Sequence, residues 1–225
     1  MAHTKRIAVG YGKKPKFIIT VSSGPHPKKR SLSLMYVLRD LLGYARTARE
    51  VKSILNNGHI LVDKKVRKNP NYGVGLMDII EIPKIKKQFI VLPEKDKLVL
   101  KEIKKSESNI KLCRIMDKTI LKNNITQLNL HDGSNIIIDK NDKNDYQTKD
   151  TVVLELPKRK IKDLIKFKKG NIALIMHGRH AGKTGKIDEI LPGSKKHKSL
   201  TRIGELQTLT NYIFVIGGKK PLIKT

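Results

Sequence analysis

Between residues 47 and 66 the apolar spacing changes period, and that change constrains the fold more than any other feature of the chain. In TAREVKSILNNG, Ala48, Val51, Ile54 and Leu55 fall on one helical face, with Thr47 as cap and Asn57 and Gly58 as stop. In HILVDKKVRK, residues 59–62 read as a strand, Asp63 and Lys64 sit at a turn, and Val66 opens the return. Upstream, SLSLMYVLRDLLG repeats the helical scheme: Leu34, Val37, Leu38 and Leu41 form the stripe, Ser31 caps and Gly43 stops it. Downstream, GLMDIIEIP is a further strand closed by Pro83. Two helices and a short sheet are therefore expected over residues 31–84.

From Lys84 to Leu156 the apolar residues come in short runs: FIVL, KLVLKEI, KLCRIM, ITQLNLHDG, NIIID and TVVLELP. Polar or glycine-containing breaks separate them, the spacing of an antiparallel β domain, placed at 85–165. Asp132, Asp139, Asp142, Asp145 and Asp150 gather here, so this domain is expected to contribute more to shape than to phosphate contact. His131 and Asp132 precede Gly133 as a turn; no motif places a serine or cysteine beside them for catalysis. PKRKIKDLIKFKKG reads as a charged link into a last unit, 166–216, which ends in the strand of NYIFVIG before a basic tail, 217–225. At the other end, residues 1–30 carry eight Lys and Arg, and no acidic residue precedes Asp40. The turns in GYGKKP and SSGPHPKKR exclude a helix there, leaving an extended basic arm that orders on its partner. The class is α+β, multidomain.

The chain carries 48 Lys+Arg against 20 Asp+Glu, a net charge of +28. A polyanion bound along the basic faces relieves the self-repulsion of such a charge, so nucleic acid is the expected partner. Hydrophobic content of 38%, spread along the chain, excludes a disordered polycation and supplies several small cores. No apolar stretch approaches the ~20 residues of a membrane span, and the start lacks the apolar core of a signal peptide, so no membrane partner is expected. Cys113 is the single cysteine, which leaves no internal disulfide and no multi-cysteine zinc site; within IKLCRIMD it reads as a small buried side chain of an intracellular protein.

GRHAGKTGKI, residues 178–187, resembles a phosphate-binding loop at first sight. A Walker loop needs four residues between its first glycine and Gly-Lys-Thr, but only Arg179, His180 and Ala181 separate Gly178 from Gly182. It must also open a helix, whereas Gly185 follows at once and Pro192 and Gly193 close the room for one. A strand, a glycine-rich turn and a strand fit better: NIALIM is apolar throughout and GKIDEIL suits a strand. His177 and His180 are spaced like a metal pair but have no third ligand placed near them, and GVG at Gly73–Gly75 lacks the third glycine of a dinucleotide fingerprint. Neither a cofactor, nor a metal, nor a small-molecule substrate is expected.

Arg49 and Lys52 share a helical face turned from the apolar stripe, with Arg46 just before the cap; Lys64, Lys65, Arg67 and Lys68 crowd the hairpin. Such a ledge suits duplex RNA, which is read mostly through phosphates and 2′-hydroxyls, although by spacing alone a solvated face accounts for it nearly as well. TAREVKSILNNGHILVDKKV resembles the signature of the S4-type RNA-binding domain, over residues 34–82. That resemblance implies RNA contacts at Arg46, Arg49, Lys52, Lys64 and Lys65. KKGNIALIMHGRHAGKTGKIDEILPGS resembles a KOW motif, a β–loop–β element of small SH3-like barrels, with Arg179, His180, Lys183 and Lys186 on its loop. Taken with HTKR, SGPHPKK, VLRDLLG, VGLMDIIEIP, KLCRI, QLNLHDG and NYIFVIG, the chain resembles the archaeal and eukaryotic small-subunit ribosomal protein S4e family nearly end to end. The arm lacks the tryptophan the family often has, with Phe17 in that region, and the loop tip has its own residues. The resemblance implies a cytoplasmic, non-enzymatic protein of the small ribosomal subunit that binds ribosomal RNA beside neighbouring ribosomal proteins. Further contacts are expected at Lys13, Lys14, Lys28, Lys29 and Arg30 of the arm and at Arg39. Lys- and Asn-rich composition and the short arm suggest an archaeal source. Two rivals remain at this stage. One is an accessory RNA-binding protein or RNA-modifying enzyme subunit acting outside the ribosome; such an enzyme would need a catalytic domain that the residues after Ile82 do not offer. The other is an elongation factor, which would leave the S4-type domain without a role.

Overall fold

The structure, a computed structural model, describes residues 18–95, 97–138, 145–194 and 197–223. Lys13, Lys14, Asp139 and Asp142 thus lie outside the described residues. The chain divides into two compact units, residues 1–111 with 156–158 and residues 112–155 with 159–225.

In the first unit the chain runs through β1 (Ser31–Ser33), α1 (Leu34–Tyr36), α2 (Ala48–Asn56), β2 (Leu61–Val62), β3 (Lys65–Val66), β4 (Gly73–Gly75), β5 (Ile79–Ile82), β6 (Lys87–Glu94) and β7 (Lys97–Glu102). An antiparallel sheet has the order β3-β2-β5-β6-β7, and β1 pairs separately with β4. The boundary expected after Lys84 falls inside that sheet, because β5 continues into β6 with Ile79 opposite Ile90. One core collects Leu34, Val37 and Leu38, Val51 and Leu55, and Ile80, Phe89 and Val91 from the sheet.

Helix α2 has the expected ends. The Thr47 hydroxyl accepts from Glu50 N–H, and Gly58 takes φ +73° at the stop. The first helix differs from expectation. Ser31 lies in β1 opposite Gly75, and Ser33 caps instead, accepting from Tyr36 N–H. The helix then widens into a π turn over Val37–Leu41, where Leu42 N–H bonds Val37 O. That extra residue rotates Leu41 off the stripe and leaves it 40% exposed.

The second unit holds two five-stranded sheets. β8 (Ile110–Leu121), in which the division after Lys111 falls, β9 (Ile125–Leu130), β10 (Asn135–Ile138), β11 (Thr151–Glu155) and β12 (Lys160–Ile165) are ordered β10-β9-β8-β11-β12. β13 (Ile172–Ile175), β14 (Thr184–Leu191), β15 (Leu200–Ile203), β16 (Leu206–Leu209) and β17 (Ile213–Gly217) are ordered β16-β15-β14-β13-β17. The two meet where Arg114 donates to Asn211 O and the His131 ring sets its edge on Phe214. Cys113 is buried in the first sheet's core, and Gly133 makes the turn after His131 and Asp132 at φ +71°. The charged link is itself a strand: β12 pairs with β11, with Ile161 and Leu164 packed on the core. Its lysines stay exposed on a sheet edge, where charge discourages further pairing. The tail also folds back, with Leu222 N–H bonded to Ile216 O and Ile223 buried. Among the described residues no helix is long and apolar enough to cross a membrane.

Residues 18–30, read from sequence as the end of an extended arm, are packed into the first unit. Ile18, Val21 and His26 are buried, and Ser22 N–H bonds Asn71 O. The two glycines of β4 make room for them. A Cβ on Gly73 would lie 2.5 Å from Val21, and one on Gly75 would enter the His26 ring. His26 Nε2 stands 2.8 Å from Asp78, and Asp78 and Asp63 both meet Lys111, whose ammonium is 2.7 Å and 2.5 Å from them and 1% exposed. Burial opposes ionisation of Asp78, but Lys111 and His26 outweigh it and hold that carboxyl well below the usual range. At Asp63, burial and the Asp78 charge prevail over Lys111 and push the carboxyl up. Lys111→Ala leaves the two carboxyls without their buried cation, at an expected cost of about 3–5 kcal/mol. Gly75→Ala forces the His26 ring aside, at about 1–3 kcal/mol. Urea unfolding followed by circular dichroism measures both; midpoints equal to the parent's would show that the cluster carries no stability.

Candidate nucleic-acid interface

The basic ledge forms because α2 buries Val51 and Leu55 and leaves the opposite face outside. Arg46, Arg49 and Lys52 are all exposed. Glu50, the acid among them, turns back to its own helix start, where its carboxylate accepts from Arg46 N–H at 2.8 Å. That bond and the Thr47 hydroxyl draw its carboxyl below the usual range.

The hairpin meets this helix at its C-terminal end. A Cβ on Gly58 would touch Val66 at 3.4 Å, and Arg67 N–H bonds Ile60 O. Asp63 and Lys64 both take positive φ, +51° and +63°, the two-residue turn whose twist suits a hairpin. The Asp63 carboxylate locks the turn to β5 by accepting from Ile79 N–H at 3.1 Å. Lys65 and Lys68 are exposed. Lys64 and Arg67 are engaged within the fold: Lys64 reaches Glu81 at 2.7 Å and Ser108 at 3.2 Å, and the Arg67 guanidinium lies 4.4 Å over the Tyr72 ring. Arg39 pairs with neighbouring Asp40 at 2.9 Å. Lys28, Lys29 and Arg30 form one exposed 3-10 turn ahead of β1.

In the second unit, β13 and β14 pair antiparallel, with Leu174 opposite Thr184, so a strand follows Gly-Lys-Thr where a nucleotide-binding loop requires a helix. Gly178 and Gly182 take φ +88° and +90°, a region that side-chain-bearing residues rarely enter. The loop closes on itself through Ala181 N–H to Gly178 O and Lys183 N–H to His180 O. Arg179, Lys183 and Lys186 are exposed, and His180 is half-buried. His177 sets its edge against Tyr212, with ring centroids 5.7 Å apart. Among the described residues no three His, Cys, Asp or Glu side chains are gathered as metal ligands.

Sequence reasoning missed His26, Tyr72, Glu81 and Lys111, which hold the ledge in shape. One signal was available. Asp63 and Asp78 stand inside the apolar runs ILVD and LMDII, and an acid buried there needs a cation or several donors.

Comparison with known proteins agrees with this architecture. The S4 domain family matches residues 34–80, from α1 into β5, and the ribosomal family S4e matches residues 85–161. The small ribosomal subunit protein eS4 of Methanosphaera stadtmanae is 48% identical over 207 residues, spanning 90% of this chain and 84% of that protein. That of Desulfurococcus amylolyticus is 40% identical over 223 residues, spanning 94% and 88%. The crystal structure of the 30S ribosomal protein S4e from Thermoplasma acidophilum superposes with a TM-score of 0.74 at 31% identity, over 86% of this chain and 98% of that one. The chain belongs to the small ribosomal subunit protein eS4 family.

Proposed function

We propose that this protein is a structural, non-enzymatic constituent of the small ribosomal subunit in the cytoplasm, binding ribosomal RNA and holding its fold beside neighbouring ribosomal proteins. The observation that carries the reading is the α2 face: Arg46, Arg49 and Lys52 stand exposed beside Lys65 and Lys68 of the hairpin, on a helix whose other face is core. Duplex RNA offers phosphates and 2′-hydroxyls to a surface of this kind. Lys28, Lys29 and Arg30 extend the cationic surface ahead of β1, and Lys13 and Lys14, outside the described residues, are read as further RNA contacts. The sheet β16-β15-β14-β13-β17 is read as an SH3-like KOW barrel presenting Arg179, His180, Lys183 and Lys186. Lys64, Arg67 and Arg39 serve first as intramolecular partners and bring to RNA only what those pairings leave over.

Affinity then derives mainly from released counterions and falls steeply with salt. Arg49→Ala with Lys52→Ala should weaken binding to duplex RNA from the small subunit while leaving the circular dichroism unchanged. The slope of log K against log salt should drop by about two, one for each lost phosphate contact. An unchanged affinity and slope would sink the assignment of this face. Sedimentation of cell extract tests the wider reading: the protein should travel with the small subunit through moderate salt, and a free pool throughout would count against it.

A further inference from the structure

Beside the 178–183 loop, β14 and the β15–β16 hairpin line an open groove of about 470 Å³. Three local features build it. Gly185 carries no side chain at the point where a Cβ would lie 2.6 Å from Ile203, so the buried Ile203 side chain fits close beneath the strand. Ile203 pairs with Leu206 across a tight turn in which Gly204 takes φ +57°, and this brings the half-buried Leu206 in as the apolar surface. The register of β14 against β15 shifts between Ile187 and Glu189, leaving Asp188 as the extra residue of a bulge. Bulges re-aim side chains, and here the Asp188 carboxylate swings to accept from Gly204 N–H with one oxygen. Lys183, Lys186 and Asp188 all line the groove and are exposed.

The groove therefore offers Leu206 as an apolar floor, two exposed ammonium groups and an exposed carboxylate. An unpaired ribonucleotide answers all three at once. Its base has a flat face for Leu206, its phosphates suit Lys183 and Lys186, and its hydroxyl and amino groups are donors for Asp188. Duplex RNA does not, because its base faces are stacked on one another. An acidic peptide supplies charge for the lysines but must draw the other two features from separate side chains. We propose that this groove holds one unpaired ribonucleotide, so that the second unit takes single-stranded RNA while the α2 face takes duplex. The proposal rests on the RNA-binding reading above.

The test uses the full chain and a short single-stranded RNA carrying 4-thiouridine, photo-crosslinked and mapped by peptide mass. Crosslinks are expected on peptides containing residues 182–188 and 203–206, and they should persist when excess duplex RNA removes those on α2. Leu206→Asp should lower the groove crosslinks by about fivefold or more, the scale of losing the apolar contact of one leucine side chain. Lys183→Glu with Lys186→Glu gives the same loss without touching the floor, should Leu206→Asp disturb the circular dichroism. Crosslinks confined to α2 and the N-terminal segment overturn the groove and leave the RNA-binding reading standing. A polyglutamate peptide that displaces the groove crosslinks at lower concentration than unlabelled RNA overturns it in favour of a protein partner. Loss of crosslinks everywhere, together with loss of duplex binding, removes the underlying reading and the groove with it.

Discussion

The first unit is organised around one buried cation. Lys111 brings an ammonium into the interior, where an unpaired charge would be costly, and Asp63 and Asp78 gather to answer it, with His26 bonded to Asp78 in turn. Each of these groups also fixes a piece of backbone. Asp63 accepts from Ile79 N–H and so holds the hairpin turn, while Asp78 accepts from Gly75 N–H and holds β4 beside β5. His26 fastens the segment leading to Lys28, Lys29 and Arg30. The exposed basic groups of the hairpin and of the 28–30 turn are thus carried on backbone set by a buried charge network.

The same division between satisfied and available charge runs through the second unit. Arg114 is buried and donates to Asn211 O, joining the two sheets, whereas Lys160 and Lys162 stand outward along edge strand β12. A chain of this net charge gains from such sorting. Cations inside need partners in the fold, and cations outside repel one another until a polyanion arrives. The glycines at 178 and 182 serve the second purpose, since their backbone angles shape a loop short enough to keep Arg179 and Lys183 at the surface.

Much of this was legible in residue order. The switch of period near residue 58 located α2, its cap, the hairpin and its turn, because helix and strand periods and cap chemistry are properties of a few consecutive residues. The short apolar runs after Lys84 located the strands for the same reason. Less legible was the first helix, where Ser31 reads as the cap but pairing of β1 with β4 takes it into a strand and leaves Ser33 to cap. The charged stretch around Lys160 concealed a strand because at a sheet edge most side chains face water, so few apolar positions mark it.

Local order alone determined the type of most elements, the excess of positive charge and the absence of a nucleotide-binding loop, since each depends on spacings of a few residues. Only the tertiary structure decided which charges are free. Lys111, Asp63, Asp78 and His26 are separated along the chain by 33 to 52 residues in the pairs they form, and Lys64 and Arg67 looked as available as Lys65 and Lys68. A cation's role follows from its nearest partner in space, and that partner is set by how the strands pair, which no short window of sequence contains.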